Sequence, residues 1–287
     1  MGLDFSSMMT ILLSGVCTGG VYGLFASGFT FQIGSLRIYD FSFGAWIMMA
    51  MYLTYYMLER WNFPLVLALL VIFTGYFLVS FVLGKMVMTK NSDMVQMLVT
   101  IGITIILQNL AVFLFTAFPR TLNVREHALT LPGDIMVGQI KLAMLALSAV
   151  LLIGFHIMMK KTWIGKTIRA VIQQREAAYL VGVNADQIKT LAYAMSYILV
   201  AASGVILMVI YPVEPTAGAF YQTMSFFICI IAGMGSLKGA FFCGILIGLL
   251  NAILNTFFVQ FASIILFAIF VLILVFKPNG LFAPRNT

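Results

Sequence analysis

Two short stretches between long apolar segments hold the ionisable and polar residues that could do chemistry in this chain. The first, Gly34 to Ala45, sets Arg37 three residues before Asp40. The second, residues 233–240, is rich in glycine. An ionisable side chain at membrane depth is costly, so it is usually paired or functional. Pairing of Asp40 with Arg37 is favoured over a role for Asp40 in proton relay.

Glycine-rich breaks between apolar segments predict backbone that lines a cavity or is buried in protein, because unwound backbone cannot face lipid. We therefore expect the two breaks to line a solute path. The alternative is that they are plain cytoplasmic turns, with Arg37 and Lys238 at the inner membrane surface. The residues predicted to lie along the path are Gly34, Asp40, Gly44, Gly233, Gly235 and Ser236.

Other reactive residue types show no catalytic or metal-binding spacing. Cys17, Cys229 and Cys243 lie in apolar runs, which predicts buried packing residues rather than disulfides or a metal site. His127 and His156 stand alone, and neither an H-E-x-x-H nor a G-x-S-x-G motif occurs. Residues 165–167 read Gly-Lys-Thr, but the phosphate-loop spacing needs glycine at position 160, where the chain has lysine. The sequence therefore predicts no catalytic residue, metal or cofactor on this chain.

The composition requires a membrane environment. Of the 287 residues, 62% are hydrophobic and 9% are charged, whereas soluble domains carry roughly 25% charged residues. A water-facing surface cannot be built from this inventory, which excludes a soluble enzyme, a nucleic-acid module and a disordered protein. The expected fold class is an all-α polytopic membrane protein with broken helices.

A membrane-spanning helix needs about 20 apolar residues, and at this length the chain divides into about nine spans, with eight to ten possible. The small-residue spacings Gly15/Gly19, Gly235/Gly239 and Gly244/Gly248 predict close helix packing. The chain 1–287 is predicted to form a single transmembrane domain. The predicted spans are residues 8–33, 41–58, 64–84, 94–117, 139–159, 190–211, 219–233, 239–257 and 262–276.

Loop charges predict the orientation of the chain. Twelve basic residues fall on one side of the alternating spans and four on the other, and the positive-inside rule places the richer side in the cytoplasm. The N-terminus is then outside and the C-terminus cytoplasmic. The predicted inner residues are Arg37, Lys85, Lys90, Lys160, Lys161, Lys166, Arg169, Arg175, Lys189, Lys238, Lys277 and Arg285, and the outer ones are Arg60, Arg120, Arg125 and Lys141.

The cytoplasmic loop 160–189 carries six basic residues together with Glu176 and Asp186. Its apolar residues recur at helical spacing over 167–182, which predicts one or two short helices that end at Gly182. Asn184 with Gln187 resembles a capping box that opens the next span. Such a basic amphipathic segment either docks in a partner groove or lies on anionic lipid.

Sequence blocks along nearly the whole chain resemble a known family. Glu176-Ala177-Ala178 followed by Gly182 is similar to the E-A-A-x-x-x-G element of bacterial ABC importer permeases, in the form that branched-chain amino acid permeases (the LivH/LivM type) carry. Further similar blocks are residues 19–24, 33–45, 232–240 and 276–282. Asp40 and Phe43 depart from the asparagine and the polar residue usual in that family, which bears on the substrate class.

The resemblance implies an ABC importer permease of the bacterial inner membrane, with branched-chain or other amino acids as cargo. The implied partners are a second permease subunit, two ATPase subunits that bind ATP and Mg²⁺, and an extracytoplasmic solute-binding protein. The outer loops 211–215 and 120–127 would meet that binding protein. The residues expected to couple the chain to the ATPases are Arg169, Ile172, Arg175, Glu176, Ala177, Ala178 and Gly182.

Two other function classes remain as alternatives. An ion-driven secondary carrier or a channel, for a solute such as urea or an amide, is supported by Asp40 and the broken helices. A membrane-embedded enzyme is the third class, but the sequence offers no residues for it. Pull-down of an ATPase, or flux through the purified chain alone, separates these classes.

Overall fold

A computed structural model describes residues 5–88, 92–122, 128–131, 135–277 and 280–282. Three of its helices, α1, α2 and α3, continue as π-helical turns, over Phe31–Leu36, Tyr56–Arg60 and Gly84–Met88. The elements in this described part are α1 Phe5–Thr30, α2 Phe43–Tyr55, α3 Leu65–Leu83, α4 Asp93–Phe115, β1 Ala128–Leu131, β2 Ile135–Gly138, α5 Gln139–Lys161, α6 Trp163–Gln173, α7 Arg175–Leu180, α8 Ala185–Ile210, α9 Ala217–Ala232, α10 Leu237–Phe257 and α11 Ala262–Phe276.

Each of the nine predicted spans coincides with one of these helices. Six of the described helices, α1, α3, α4, α5, α8 and α10, are long and apolar enough to cross a membrane. The other three, α2, α9 and α11, have 13, 16 and 15 residues. At 1.5 Å per residue, the longest of these covers about 24 Å of a hydrocarbon core about 30 Å thick. The chain is therefore a polytopic helical membrane protein.

The described part of the chain is helical, as the predicted fold class requires, apart from one short hairpin. Strands β1 and β2 pair antiparallel between α4 and α5, with Ala128 opposite Gly138 and Leu131 opposite Ile135. Residues 132–134, which read Pro-Gly-Asp, lie between the strands and outside the described residues. Proline and glycine between two short apolar runs are a turn signal, so this sequence favours a hairpin over a helix.

Helices α1 and α10 pack through glycine, as the spacing predicts. A Cβ on Gly19 would lie 2.6 Å from the Cα of Ile245, and one on Gly15 would lie 2.8 Å from the Cβ of Ala252. Gly244 and Gly248 face α1 in the same way. Small residues at a helix interface let the two backbones approach closely, which is how helices associate in lipid. The seam fixes α10 against α1 over about three turns.

Helix α8 is the most buried of the six long helices and packs against α1, α2 and α3. Its tyrosines Tyr193 and Tyr197 are among the largest fully buried side chains. The three cysteines are buried and free, which confirms their predicted packing role. Because only residues 181–184 separate the end of α7 from the start of α8, the chain connects the centre of the bundle to the loop 160–189.

Candidate functional site

The two predicted breaks meet each other in the structure. A Cβ on Gly34 would collide with the backbone of Met234 and Gly235, so only glycine fits there. Gly235 has a φ of +94°, a left-handed conformation that favours glycine. It therefore lies in a turn, and the predicted Gly235/Gly239 helix-packing pair is wrong. Ser236 caps α10, its Oγ accepting from the N–H of Gly239 at 3.1 Å.

The first break, which was predicted to extend from Gly34 to Ala45, is shorter in the structure, because helix α2 begins at Phe43 and includes Gly44. A Cβ on Gly44 would collide with the carbonyl oxygen of Gly218 on α9. The N–H of Gly44 donates to Oε1 of Gln222 at 2.8 Å, which gives a partner to an N–H of the first turn of α2. Gly44 therefore lies at a tight α2–α9 contact rather than in unwound backbone.

The second break is hydrogen-bonded to residues 281 and 282, which follow α11. Gly233, with a φ of +88°, ends α9. The N–H groups of Leu281 and Phe282 donate to the carbonyl oxygens of Ile231 and Ala232 at 2.7 and 3.1 Å. Backbone bonds of this kind fix the end of α9, where its last carbonyls lack helical partners.

Asp40 is buried in a cage of hydroxyl groups, with 1% of its surface exposed. Its Oδ1 accepts from the N–H and Oγ of Ser42 at 2.8 and 2.6 Å. Its Oδ2 accepts from the hydroxyls of Tyr193 and Tyr197 at 2.7 and 2.5 Å. The predicted pairing with Arg37 is wrong, because Arg37 turns outward at a φ of +51° and is exposed. Buried charge is tolerated here because its lone pairs are filled by donors.

The loop 160–189 contains two short helices, α6 and α7, where one or two were predicted, and we call this pair the coupling hairpin. Gln174, at φ −145° and ψ 92°, separates the two helices. Gly182, with a φ of +81°, follows the end of α7, and its N–H donates to the carbonyl of Tyr179. The side chain of Asn184 accepts from the N–H of Gln187 at 3.2 Å. Both predicted ends, the glycine stop and the asparagine cap, are confirmed.

One face of the coupling hairpin is packed against the bundle. Ile168, Val171 and Ala178 are buried, whereas Ile172 is 38% exposed and does not share that face. The guanidinium of Arg169 donates to the carbonyl oxygens of Met159 and Lys160 at the end of α5. A cation at a helix C-terminus satisfies carbonyls that lack helical partners. Arg169 therefore binds the coupling hairpin to the end of α5.

The opposite face of the hairpin is exposed and partly apolar. Leu180 and Val181 are 88% and 78% exposed, and Glu176 and Ala177 are exposed beside them. These residues lie within the stretch 160–189, which is rich in charged residues. Exposed apolar surface rimmed by polar residues marks an interaction site.

An ion pair connects α7 to α8. Nη2 of Arg175 donates to Oδ1 of Asp186 at 2.5 Å, and the hydroxyl of Tyr179 donates to Oδ2 at 2.8 Å. The hydrogen bond with the Tyr179 side chain and the charge of Asp186 raise the pKa of Arg175 above its ordinary value. The guanidinium of Arg175 therefore stays protonated throughout the physiological pH range.

We expect Asp186→Asn to loosen the coupling hairpin without unfolding the protein. The pair is exposed, so its loss changes the free energy of unfolding by less than about 1 kcal/mol. Hydrogen–deuterium exchange of residues 175–182 is expected to accelerate, because α7 then loses its ionic connection to α8. Glu59→Gln, at an exposed acid outside the hairpin, is the control and leaves that exchange unchanged. Equal exchange in both variants contradicts the connection.

A cavity of about 770 Å³, with both polar and apolar lining residues, lies at the end of the bundle where α1 begins and α8 ends. Its walls include Thr18, Tyr22, Tyr211, Glu214 and Asn251. We call it the outer cavity. The sequence reasoning did not identify it, because its residues come from α1, α9, α10 and the loop after α8. The signal that was present is the recurrence of Asn251 and Asn255 one turn apart in an apolar helix.

The loop after α8 is braced against the segment after α4. Arg120 and Val213 exchange two backbone hydrogen bonds, at 3.0 and 2.9 Å. Val213 is fully buried, and Glu214 next to it accepts from Thr216 at 2.8 Å. The two predicted outer loops therefore meet at this point. Residues 123–127, which include Arg125 and His127, lie outside the described residues.

The profile of the family described as "Branched-chain amino acid transport system / permease component" matches residues 11–274. The chain is 24% identical to the high-affinity branched-chain amino acid transport system permease protein BraD of Pseudomonas aeruginosa, over 94% of both chains. It is also 24% identical to the permease protein LivH of Escherichia coli K12, over 98% of this chain and 97% of LivH.

Among solved structures, "PsaBC from Streptococcus pneumoniae in complex with Fab" shares the fold, at a TM-score of 0.51 and 15% identity over 96% of this chain and 92% of that one. The structure places the two glycine-rich breaks and helix α7 of the coupling hairpin at the sequence blocks that resemble this family. With the family profile covering nearly the whole chain, this protein belongs to the family of permease components of branched-chain amino acid transport systems.

Proposed function

We propose that the chain is the transmembrane permease subunit of an ATP-binding cassette importer that carries branched-chain or other amino acids into the cytoplasm. The observation that carries the proposal is the exposed apolar face of the coupling hairpin, with Glu176, Leu180 and Val181 at its centre. Family membership and the names of BraD and LivH support the cargo. ATP hydrolysis belongs to the partner subunits, so the chain is a permease and not an enzyme.

The positions of two cavities support the proposed orientation. Ser35–Arg37 and residues 168–175 of the coupling hairpin line one cavity of about 340 Å³, so the first break and the hairpin lie on the same side. The start of α1, the end of α8 and the end of α10 line the outer cavity at the other end. This is the alternation that nine crossings predict, with the N-terminus outside and the C-terminus in the cytoplasm.

The charges of the described residues agree with that orientation. Ten of the twelve basic residues assigned to the cytoplasm are described, against three of the four assigned outside. Lys90, Arg125 and Arg285 lie outside the described residues. A cytoplasmic excess of lysine and arginine is the expected bias for membrane proteins. The membrane is proposed to be the bacterial inner membrane.

The proposed assembly contains two permease subunits, identical or related, above two ATPases that bind ATP and Mg²⁺. An extracytoplasmic binding protein delivers the solute to the braced outer loops at Arg120 and Val213. Movement of the ATPases reaches this chain through the coupling hairpin, which contacts α5 through Arg169 and α8 through Arg175. Because packed helices shift as rigid bodies, the displacement reaches the Gly34–Gly235 contact, where the two breaks separate.

Transport assays in proteoliposomes test the proposed function. Tritiated L-leucine is expected to accumulate only when both the ATPases and ATP are present, and to stop accumulating when hydrolysis is blocked. Flux through the purified chain alone, without ATPases, would instead identify a channel or an ion-driven carrier. The Asp40 cage does not favour the carrier, because its oxygens are filled by donors from this chain.

We expect Glu176→Lys to uncouple transport while the protein stays folded. Glu176 is exposed on the proposed docking face, so reversing its charge leaves the bundle intact and weakens docking. A docking loss of about 1.4 kcal/mol lowers ATPase affinity about tenfold. The measurement is ATP hydrolysed per leucine imported. Glu59→Lys, the same charge reversal outside the hairpin, is the control, and a normal ratio in Glu176→Lys contradicts the docking assignment.

A further inference from the structure

We propose that the outer cavity binds the head group of an α-amino acid, with the carboxylate of Glu214 holding its ammonium group. This inference rests on the proposed function, since it assumes that the chain imports a solute. The cavity, at about 770 Å³, has the size of a small-molecule site. It makes Glu214 a residue that determines which solutes the permease accepts.

Glu214 is the charged residue among the described residues that line the cavity. Its position is fixed, because Val213 exchanges two backbone hydrogen bonds with Arg120 and prolines flank the segment at 212 and 215. Its Oε1 accepts from Thr216, and the carboxylate remains exposed. A fixed carboxylate in a partly enclosed space complements an ammonium group, and such charge-assisted hydrogen bonds are the strong ones.

On α1, a hydroxyl group that lines the cavity is hydrogen-bonded to a cation. Nζ of Lys141 donates to Oγ of Ser14 at 2.9 Å, and Ser14 lines the cavity. Lys141 lies in the first turn of α5 and is half-buried. An acid in the loop after α8 therefore lines the cavity, and a base is hydrogen-bonded to a lining residue of α1. This polarity fits a zwitterion better than a simple amide or an organic acid.

Neutral polar groups and aromatic rings line much of the rest of the cavity, beside a few aliphatic residues. Thr18 and Tyr211 share a hydrogen bond at 3.0 Å, and Nδ2 of Asn255 donates to Oδ1 of Asn251 at 2.7 Å. Tyr22 packs its ring against Phe220, with centroids 6.4 Å apart. The polar groups suit a charged head group, and the rings offer apolar contact to its side chain.

Binding of tritiated L-leucine to the assembled importer in nanodiscs, without the binding protein, tests this assignment. The competitors are isopentylamine, which is leucine without the carboxylate, and 4-methylpentanoate, which is leucine without the ammonium group. We expect isopentylamine to compete and 4-methylpentanoate to compete at least about tenfold more weakly. Glu214→Gln is expected to weaken leucine binding about tenfold and to erase the difference between the competitors.

Two further variants complete the design. Glu59→Gln, an exposed acid outside the cavity, is expected to bind leucine as the wild type does, and Glu214→Asp is expected to retain the preference for the amine. Three outcomes would each overturn the cavity assignment while leaving the proposed function intact. They are unchanged leucine binding in Glu214→Gln, equal competition by the two analogues in the wild type, and no leucine binding in an importer that still accumulates leucine. Normal binding without ATP-driven uptake instead overturns the proposed function.

Discussion

Replacement of Gly19 by leucine is expected to abolish the folded protein. A Cβ at this position lies 2.6 Å from the Cα of Ile245 and 2.8 Å from the carbonyl oxygen of Gly244, so α1 and α10 must separate to admit it. Overpacking a core usually costs about 1–3 kcal/mol, and a collision with backbone exceeds that range. We expect a loss of about 3 kcal/mol or more in the free energy of unfolding. Thermal unfolding in detergent, followed by size-exclusion chromatography, measures it.

Gly102→Leu in α4 is the matched control. A Cβ there meets nothing within 4 Å, so the same substitution in an equally apolar helix adds a side chain to open space. We expect its unfolding temperature to stay near that of the wild type. Equal losses in Gly19→Leu and Gly102→Leu would mean that glycine stabilises this chain through helix flexibility rather than through the α1–α10 seam.

The same seam shows what sequence reasoning could and could not predict in the fold. Spans follow from the length of apolar runs, and each predicted span coincides with a helix. The spacing of Gly15 and Gly19 predicts a packing face but not its partner, which is set by three-dimensional arrangement. Short helices such as α9 were predictable because Gly233, with its positive φ, ends the helix locally.

In the candidate site, too, features that depend on local interactions were predictable from the sequence, whereas those that depend on distant residues were not. The stop at Gly182 and the cap at Asn184 depend on residues within one helical turn, and both were predicted correctly. Two of the partners of Asp40, Tyr193 and Tyr197, lie more than 150 residues away, so the sequence suggested the near cation, Arg37, instead. The available signal was the pair Tyr193 and Tyr197, which places two hydroxyls one turn apart on an apolar helix.

Replacement of Asp40 by leucine is expected to destabilise the protein by about 3–5 kcal/mol, because it leaves several buried donors without an acceptor. The N–H of Ser42 and the hydroxyls of Tyr193 and Tyr197 all donate to this carboxylate in the wild type. Asp40→Asn keeps one acceptor oxygen and the volume of the side chain, so we expect a smaller loss of about 1–2 kcal/mol. Chemical denaturation of the purified permease measures both variants.

Asp93→Leu serves as the control for removing an aspartate, since Asp93 is exposed in the first turn of α4 and contributes about 1 kcal/mol or less through the helix dipole. Similar losses in Asp40→Leu and Asp93→Leu contradict the cage.

Tyr197→Phe separates the structural role of the cage from its role in transport. It removes one donor to Asp40, while Tyr193 remains in place at 2.7 Å. We therefore expect the protein to fold and to hydrolyse ATP through its partners, but to import leucine more slowly at an unchanged KM. The reason is mechanical: α8 begins next to the coupling hairpin, and the cage is one of its hydrogen-bonded connections to the first break, beside the bond from Gln32 to Ser196. Wild-type import by Tyr197→Phe would show that displacement of α8 reaches the Gly34–Gly235 contact without this connection.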